Sequence, residues 1–204
     1  KYFTTIFFVI SMKLLNSLLQ RRQSLMRMDL EYVNKAYLRL NLKSSAPTVI
    51  VAGTNGKGST SGFLSRLFAV QKIRCGLFTS PHLVSVSERI WCSNKKITEN
   101  YIDESLVFLQ STLGKDCYES LSFFEIIFLA SLLIFSQNKN EINIFEVGLG
   151  GRLDATNILP HLCSCVVSIG KDHSEWLGNS LCEIAGEKLS VARKNCPLFF
   201  GDLS

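Results

Sequence analysis

Residues 49–60 read VIVAGTNGKGST, an apolar β-branched run that leads into a glycine-rich turn and then a hydroxyl pair. Glycines allow backbone N–H groups to curl around an anion, and the N-terminus of a following helix adds partial positive charge. Lys57 lies between two glycines, within reach of the outer phosphates of a nucleotide. The Ser59 or Thr60 hydroxyl is placed to approach Mg²⁺ or a phosphate oxygen. The turn from Gly53 onward is therefore an ATP-site candidate.

The turn is a shortened variant of the pattern G-x-x-x-x-G-K-[ST], which requires glycine at position 51 and a hydroxyl at position 58. This chain has Val51 and Gly58 at those positions. An ordinary glycine-rich strand-to-helix turn is the alternative, and the placement of Lys57 just before a Ser-Thr pair disfavours it. The turn alone predicts phosphate binding but not a reaction.

The composition indicates a globular protein with small anionic ligands. The chain has 204 residues, 47% of them hydrophobic and 19% charged, with a net charge of +5. No lysine-arginine block is present, so we expect no nucleic-acid partner. The seven cysteines are odd in number and lack the C-x₂-C spacing of a zinc site, which favours reduced thiols in a cytoplasmic protein.

The first residues are interpreted as extraneous to the fold. The apolar run at residues 2–10 is too short to span a bilayer and no small-residue cleavage site follows it, so we expect neither a membrane segment nor secretion. We take Met12 as the start, residues 1–11 as an added segment, and residues 12–204 as one ATP-binding domain.

Alternating apolar runs and helical patterns predict an α/β fold with a doubly wound, mostly parallel sheet. Buried parallel strands are expected at Thr48–Ala52, Ile73–Phe78, Ile142–Val147, Cys165–Ile169 and Pro197–Phe200. Helices are expected at Gly62–Gln71, Ser122–Gln137 and Leu181–Lys194, the last with Ser180 as its N-cap and Glu183 completing a capping box.

Polar clusters follow the carboxyl ends of four predicted strands, where open α/β sheets bind ligands. Glu146 ends a very apolar run, and a buried carboxylate is costly unless it is paired or bound to a metal. We favour Mg²⁺ ligation over the alternative, a salt bridge to Arg152. Asp172-His173 either binds a metal or phosphate or serves as a structural cap. The sequence around Lys188, taken alone, predicts only a surface lysine.

Six segments together resemble the folylpolyglutamate synthase/dihydrofolate synthase family of the Mur ligase superfamily. In this chain they read VAGTNGKGST, GLFTSPHLVSVSERI, LSFFE, FEVGLGGRLDATNIL, SIGKDHSEWLG and IAGEK, in the family's order. The resemblance implies the Mur-ligase-type ATPase domain and an ATP-dependent amide ligase of folate biosynthesis. Such an enzyme phosphorylates the carboxylate of dihydropteroate or a folate, and L-glutamate then attacks the acyl phosphate.

The resemblance also implies roles for individual residues, and we separately expect a monomeric protein. ATP phosphates would be held by Gly53, Thr54, Asn55, Gly56, Lys57, Gly58, Ser59 and Thr60. Catalytic residues would be Lys57, His173 and Lys188, the last as a carbamate that supports a second Mg²⁺. The metal ligands would be Ser80, Glu146 and His173. The pterin substrate would face Ser122, Phe123, Phe124, Leu153, Asp154 and Ala155.

The chain departs from the family pattern at Ser87, Lys171 and Leu189-Ser190, where the family usually has asparagine, an apolar residue and Ala-Gly. The family's second, smaller α/β domain is absent from these residues, so we expect an incomplete chain with little or no turnover. Three alternatives remain: a non-catalytic remnant of such a ligase, a Mur-type cell-wall precursor ligase, and a generic P-loop NTPase switch.

Overall fold

The computed structural model describes residues 14–20, 29–42 and 46–201, so the interpretation of residues 1–11 lies outside it. Helices in chain order are α1 (14–20), α2 (Glu31–Leu40), α3 (Lys57–Val70), α4 (Glu99–Leu113), α5 (Lys115–Glu119), α6 (Phe123–Gln137), α7 (Ser174–Leu177) and α8 (Leu181–Leu189). Strands are β1 (Thr48–Ala52), β2 (Cys75–Phe78), β3 (Ile90–Cys92), β4 (Ile142–Glu146), β5 (Cys163–Val166) and β6 (Leu198–Phe200). Within these ranges, no helix has the length and hydropathy that a bilayer crossing requires.

The strands form one sheet in the order β3-β2-β4-β1-β5-β6. Every neighbouring pair is parallel except β2 and β3, which run antiparallel. The predicted α/β class and mostly parallel sheet are confirmed. Because β4 lies between β1 and β2, the loops after these three central strands open at the same edge of the sheet.

Helices cover both faces of the sheet, which explains why its central strands are apolar on both sides. Ile50 and Ala52 of β1 belong to the core on the α6 side, whereas Val49 and Val51 face the second core under α3. On the α6 side, Phe128 and Phe135 make edge or T-shaped contacts with Phe145 of β4 at centroid distances of 5.6 and 5.7 Å. The strongly apolar helix α6 is therefore packed in the core of the domain.

Two of the predicted strands need correction, and a further strand was not predicted. The strand expected at Cys165–Ile169 lies at Cys163–Val166, since its register with β1 runs from Val49↔Cys163 to Ala52↔Val166 and β1 ends at the turn. The strand Leu198–Phe200 is exposed rather than buried, because it forms the sheet edge. The antiparallel strand β3 was not predicted, and its three residues are too few for a period-2 pattern.

The helix boundaries also shift. Helix α3 begins at Lys57, five residues before the prediction, because Gly56 adopts a left-handed conformation (φ +80°) and serves as its N-cap. Helix α8 ends at Leu189 rather than Lys194. Its predicted capping box is confirmed: Ser180 accepts a hydrogen bond from the Glu183 N–H, and the Glu183 carboxylate accepts one from the Ser180 N–H.

Candidate functional site

The glycine-rich turn between β1 and α3 is held by the loop that follows β5. Thr54 N–H donates to the Ser168 carbonyl at 2.9 Å, and Thr54 Oγ1 accepts from Gly170 N–H at 2.9 Å. A Cβ at Gly53 would lie 3.1 Å from Ser168 N, so this approach favours glycine. Residues 167–170 therefore position the candidate phosphate loop from outside it.

Two lysine ammonium groups meet at the Gly53 carbonyl. Lys57 Nζ donates to Gly53 O at 2.9 Å and to Thr54 O at 3.2 Å, and Lys188 Nζ donates to Gly53 O at 3.2 Å. Lys188 is only 3% exposed. Burial first, and then repulsion from Lys57, lowers the pKa of Lys188 to about 8, which Asp172 opposes. The structure thus buries a lysine that looked like a surface residue from its sequence context.

Glu146 is buried at the end of β4, directly under the phosphate loop. Its Oε2 accepts a hydrogen bond from Ser80 N–H at 3.1 Å, and its Oε1 lies 3.5 Å from the place of a Cβ on Gly58. Burial raises the pKa of Glu146, while the Ser80 N–H, Lys57 and then Arg89 act in the opposite direction. A side chain at position 58 would thus begin in van der Waals contact with this carboxylate, which places Glu146 directly beside the loop.

The alternative salt bridge between Glu146 and Arg152 is wrong. Arg152 pairs with Glu187 of α8, with Nη2 2.9 Å from Oε1, and its N–H donates to the Glu187 carbonyl at 3.0 Å. A Cβ at Gly151 would lie 2.8 Å from that same carbonyl. The loop after β4 is therefore docked closely on α8, which carries Lys188.

The predicted pterin-facing residues lie in two segments, one at the start of α6 and the other in the loop after β4. Ser122 is the N-cap of α6 and accepts from the Glu125 N–H, and Phe124 packs on Phe78 at 5.5 Å and against the Cα of Gly148. These residues lie beside the loops after β2 and β4. Phe123 is buried next to His82, with ring centroids 6.2 Å apart.

Asp154 is buried and its carboxylate is used within its own loop. Oδ2 accepts from the N–H groups of Gly148 and Leu149, and Oδ1 accepts from the N–H and hydroxyl of Thr156. Burial raises the pKa of Asp154 against these hydrogen bonds. The neighbours Leu153 and Ala155 are half-buried and buried. Asp154 thus shapes the loop, and its side chain is directed to the backbone.

His173 is exposed, caps α7 in a left-handed conformation, and lies 3.7 Å from Asp172 by its Nε2. In the part of the chain that the structure describes, no three His, Cys, Asp or Glu side chains are grouped to hold a metal ion. Mg²⁺ commonly takes one or two protein oxygens and completes its shell with water and phosphate. Glu146 together with Ser80 fits such a partial set, and the role of His173 as a ligand stays a prediction.

Two contributors to the site were missed from the sequence. Ser168, whose side chain accepts from Asn55 N–H at 3.0 Å and donates to Asn55 O, was assigned to a strand. Arg89 was noted only as part of a motif, yet it is 5% exposed and lies near Glu146. The apolar run before Ser168 hides the strand end, and an arginine in a polar segment gives no signal of burial.

Comparisons with known proteins identify relatives of this chain among curated proteins and solved structures. No family model matches the chain. A dihydrofolate synthase/folylpolyglutamate synthase of Haemophilus influenzae is 37% identical over 176 residues, which cover 86% of this chain and 39% of that protein. E. coli FolC in complex with DHPP and ADP superposes with a TM-score of 0.86 at 34% identity, over 93% of this chain and 45% of that one.

The chain belongs to the dihydrofolate synthase/folylpolyglutamate synthase family. A bifunctional folylpolyglutamate synthase/dihydrofolate synthase with Mn, AMPPNP and L-glutamate bound is also similar, with a TM-score of 0.82 and 36% identity over 91% of this chain and 46% of that one. The chain thus spans about two-fifths of the length of the curated family member and under half of the solved ones. The resemblance drawn from the six sequence segments is confirmed.

Proposed function

We propose that this chain forms the nucleotide- and metal-binding part of an ATP-dependent ligase that joins L-glutamate to dihydropteroate, to a folate, or to both. The observation that carries the proposal is the convergence of Lys57, Lys188 and Glu146 around one glycine-rich loop. Solved family members contain ADP with DHPP, or AMPPNP with Mn and L-glutamate, which supports the substrate set.

In the proposed reaction, backbone groups of this chain bind the phosphates of ATP, and charged side chains neutralise phosphate charge or hold the metal. The backbone N–H groups at the N-terminus of α3, which begins at Lys57, hold the phosphates, and Lys57 leaves the carbonyls of Gly53 and Thr54 to meet phosphate oxygens. Glu146 and Ser80 would hold Mg²⁺, and the family resemblance adds His173 to these ligands. When bound, Mg²⁺ neutralises charge on the transferred phosphoryl group. The acid carboxylate takes that phosphoryl group from ATP, releasing ADP.

The second step forms the amide. The glutamate amine attacks the acyl carbonyl, loses a proton, and expels phosphate. The half-buried Phe124 offers an apolar ring for a pterin acid beside the loops that carry Ser80 and Gly148, and the buried Phe123 supports it from the first turn of α6. We further propose that Lys188 is carbamylated, since a buried amine with a pKa of about 8 is partly neutral at physiological pH and can add CO₂ with loss of a proton. The free cysteines fit a cytoplasmic location.

The affinity of Lys57 and Glu146 variants for AMPPNP tests the proposal. We expect Lys57→Ala to weaken AMPPNP binding at least about tenfold, because removing a phosphate-neutralising charge removes a charge-assisted contact. Glu146→Gln should weaken binding by a similar factor with Mg²⁺ and little without it. Isothermal titration calorimetry gives both values, with Lys35→Ala on the exposed face of α2 as the control.

Two outcomes would contradict the proposal. Equal AMPPNP affinities for the wild-type and Lys57→Ala proteins would show that the loop is an ordinary turn. Binding of a UDP-sugar precursor in place of dihydropteroate would point to a cell-wall ligase. A coupled ADP-release assay with dihydropteroate, L-glutamate and Mg²⁺ measures whether these 204 residues turn over by themselves.

A further inference from the structure

Arg89 ends the 3-10 turn at Val86–Arg89 and is buried beside the candidate site. Its Nε donates to His82 Nδ1 at 2.7 Å, and its guanidinium carbon lies 5.2 Å from the centroid of the Phe123 ring. One side chain therefore contacts both the segment after β2 and the first turn of α6. Burying a guanidinium is costly unless it is compensated, and the hydrogen bond to His82 and the contact with the Phe123 ring are two of its compensating interactions.

The segment from Pro81 to Ser85 is held from its other side by the neighbour of Arg89. The Glu88 carboxylate accepts hydrogen bonds from the N–H groups of Leu83, Val84 and Ser85 at 2.7–2.9 Å. These bonds lower the pKa of Glu88. In addition, Thr79 N–H donates to the Arg89 carbonyl at 2.9 Å. The 3-10 turn thus fixes the backbone of the segment through Glu88 and its histidine through Arg89.

The segment has an unusual surface for so constrained a loop. Leu83 and Val84 are 92% and 90% exposed, although apolar, and they follow Ser80 after only Pro81 and His82. At the start of α6, Phe123 is buried against His82 and Arg89, whereas Phe124 is half-buried. Leu83, Val84 and Phe124 are therefore the apolar side chains that this part of the site offers to a flat aromatic acid.

We propose that Arg89 is a positioning residue that ties the Pro81–Ser85 segment to the first turn of α6 and so sets the acid-substrate side of the site. This assignment rests on the proposed function for its ligand, a pteroate-type acid. Arg89 acts through His82 and Phe123. The planar guanidinium donates and stacks at once, which a lysine ammonium does not reproduce.

Substitution of Arg89 tests the assignment against a matched control. Arg89→Lys keeps the charge but removes the Nε donor and the planar stack. Arg66→Lys removes a comparable stack, 5.1 Å from the Trp91 ring, on the outer side of α3. We expect Arg89→Lys to raise the Kd for 7,8-dihydropteroate about tenfold, as a displaced positioning contact does, and to leave the Kd for Mg-AMPPNP nearly unchanged. Arg66→Lys should change neither.

Substitutions of His82 distinguish a positioning role of Arg89 from a merely structural one. Asparagine can place its Oδ1 near the position of the histidine Nδ1 and accept from Arg89, whereas alanine cannot. We therefore expect His82→Asn to retain most of the dihydropteroate affinity and His82→Ala to lose it, with no further loss when Arg89→Lys is added to His82→Ala.

Hydrogen exchange separates this assignment from the proposed function. The amides of Leu83, Val84 and Ser85 should exchange faster in Arg89→Lys than in the wild-type protein or Arg66→Lys, with no ligand present. Unchanged exchange in Arg89→Lys overturns the assignment, as does an equal loss of both ligand affinities. Faster exchange together with failure of the wild-type protein to bind dihydropteroate instead contradicts the proposed function.

Discussion

Lys188 shows how burial gives an unremarkable lysine a distinctive chemistry. On α8 it would be solvated if the helix stood alone, but the docked loop after β4 and the Gly53 carbonyl enclose it. Proximity to Lys57 makes its positive charge still less favourable. The same residue is therefore a source of instability in the free protein and a nucleophilic amine near physiological pH.

The pH dependence of stability tests this description of Lys188. Its pKa falls from 10.5 to about 8 on folding, so between these values the unfolded chain binds the additional proton. Raising the pH through this window should stabilise the wild-type protein relative to Lys188→Met by about 1–3 kcal/mol, whereas below pH 8 the difference should stay constant. Urea unfolding at pH 7.5 and 10 measures it. A difference that is the same at both pH values would contradict the buried, charged lysine.

At the scale of elements, the close docking of the loop after β4 onto α8 is the critical contact. Gly151 leaves no room for a side chain, because an added Cβ would lie 2.8 Å from the Glu187 carbonyl and 2.9 Å from Val191 Cγ1. Arg193, just beyond α8, donates to the Asn157 carbonyl and to Asn157 Oδ1. The loop and the helix thus move together.

Alanine substitutions at two glycines separate docking from helix propensity. Gly151→Ala should destabilise the fold by about 1–3 kcal/mol, because backbone atoms of α8 must shift, and it should weaken AMPPNP binding as Lys188 moves. Gly186→Ala, in α8 with open space around it, should stabilise by about 0.5–1 kcal/mol. Chemical denaturation of both variants checks the signs. Equal stability of the two would argue against close docking.

The elements also show what sequence patterns reveal and what they omit. Strand β1 and the N-cap of α8 were predicted correctly, because an apolar run bounded by a turn and a Ser-x-x-Glu box are local signals. The position of β5 was not, since its register depends on where β1 turns at Gly53. Burial of Lys188 and Arg89 depends on tertiary contacts alone, and the sequence resemblance supplied a role only for the former.

The exposed strand β6 is a property of the whole molecule as described. It forms an edge of the sheet, and Leu198, Phe199 and Phe200 are all exposed there. Unpaired strand edges with apolar side chains promote association between molecules. The expectation of a monomer stays a prediction, and in the described structure this edge is a place where association would be expected.

A charge on β6 tests whether this edge causes association. Phe199→Lys should lower concentration-dependent self-association, measured by sedimentation velocity across a concentration series, and leave AMPPNP affinity unchanged. Phe63→Lys, at an exposed position on α3, is the matched control for general surface hydrophobicity. If the two variants reduce association equally, the edge has no special part in it.

The central position of β4 determines when the site can exist. β1 and β2 come early in the chain but are not neighbours. β4 lies between them in the sheet and is synthesised only after the long segment that contains α4–α6. Until then Glu146 lies apart from Gly58 and Ser80, and a nascent chain has a phosphate loop without its carboxylate. Once β4 is inserted, the carboxylate can leave only if the middle of the sheet opens. The site therefore depends on the intact centre of the sheet, and local fraying at the sheet edges leaves Glu146 beside Gly58 and Ser80.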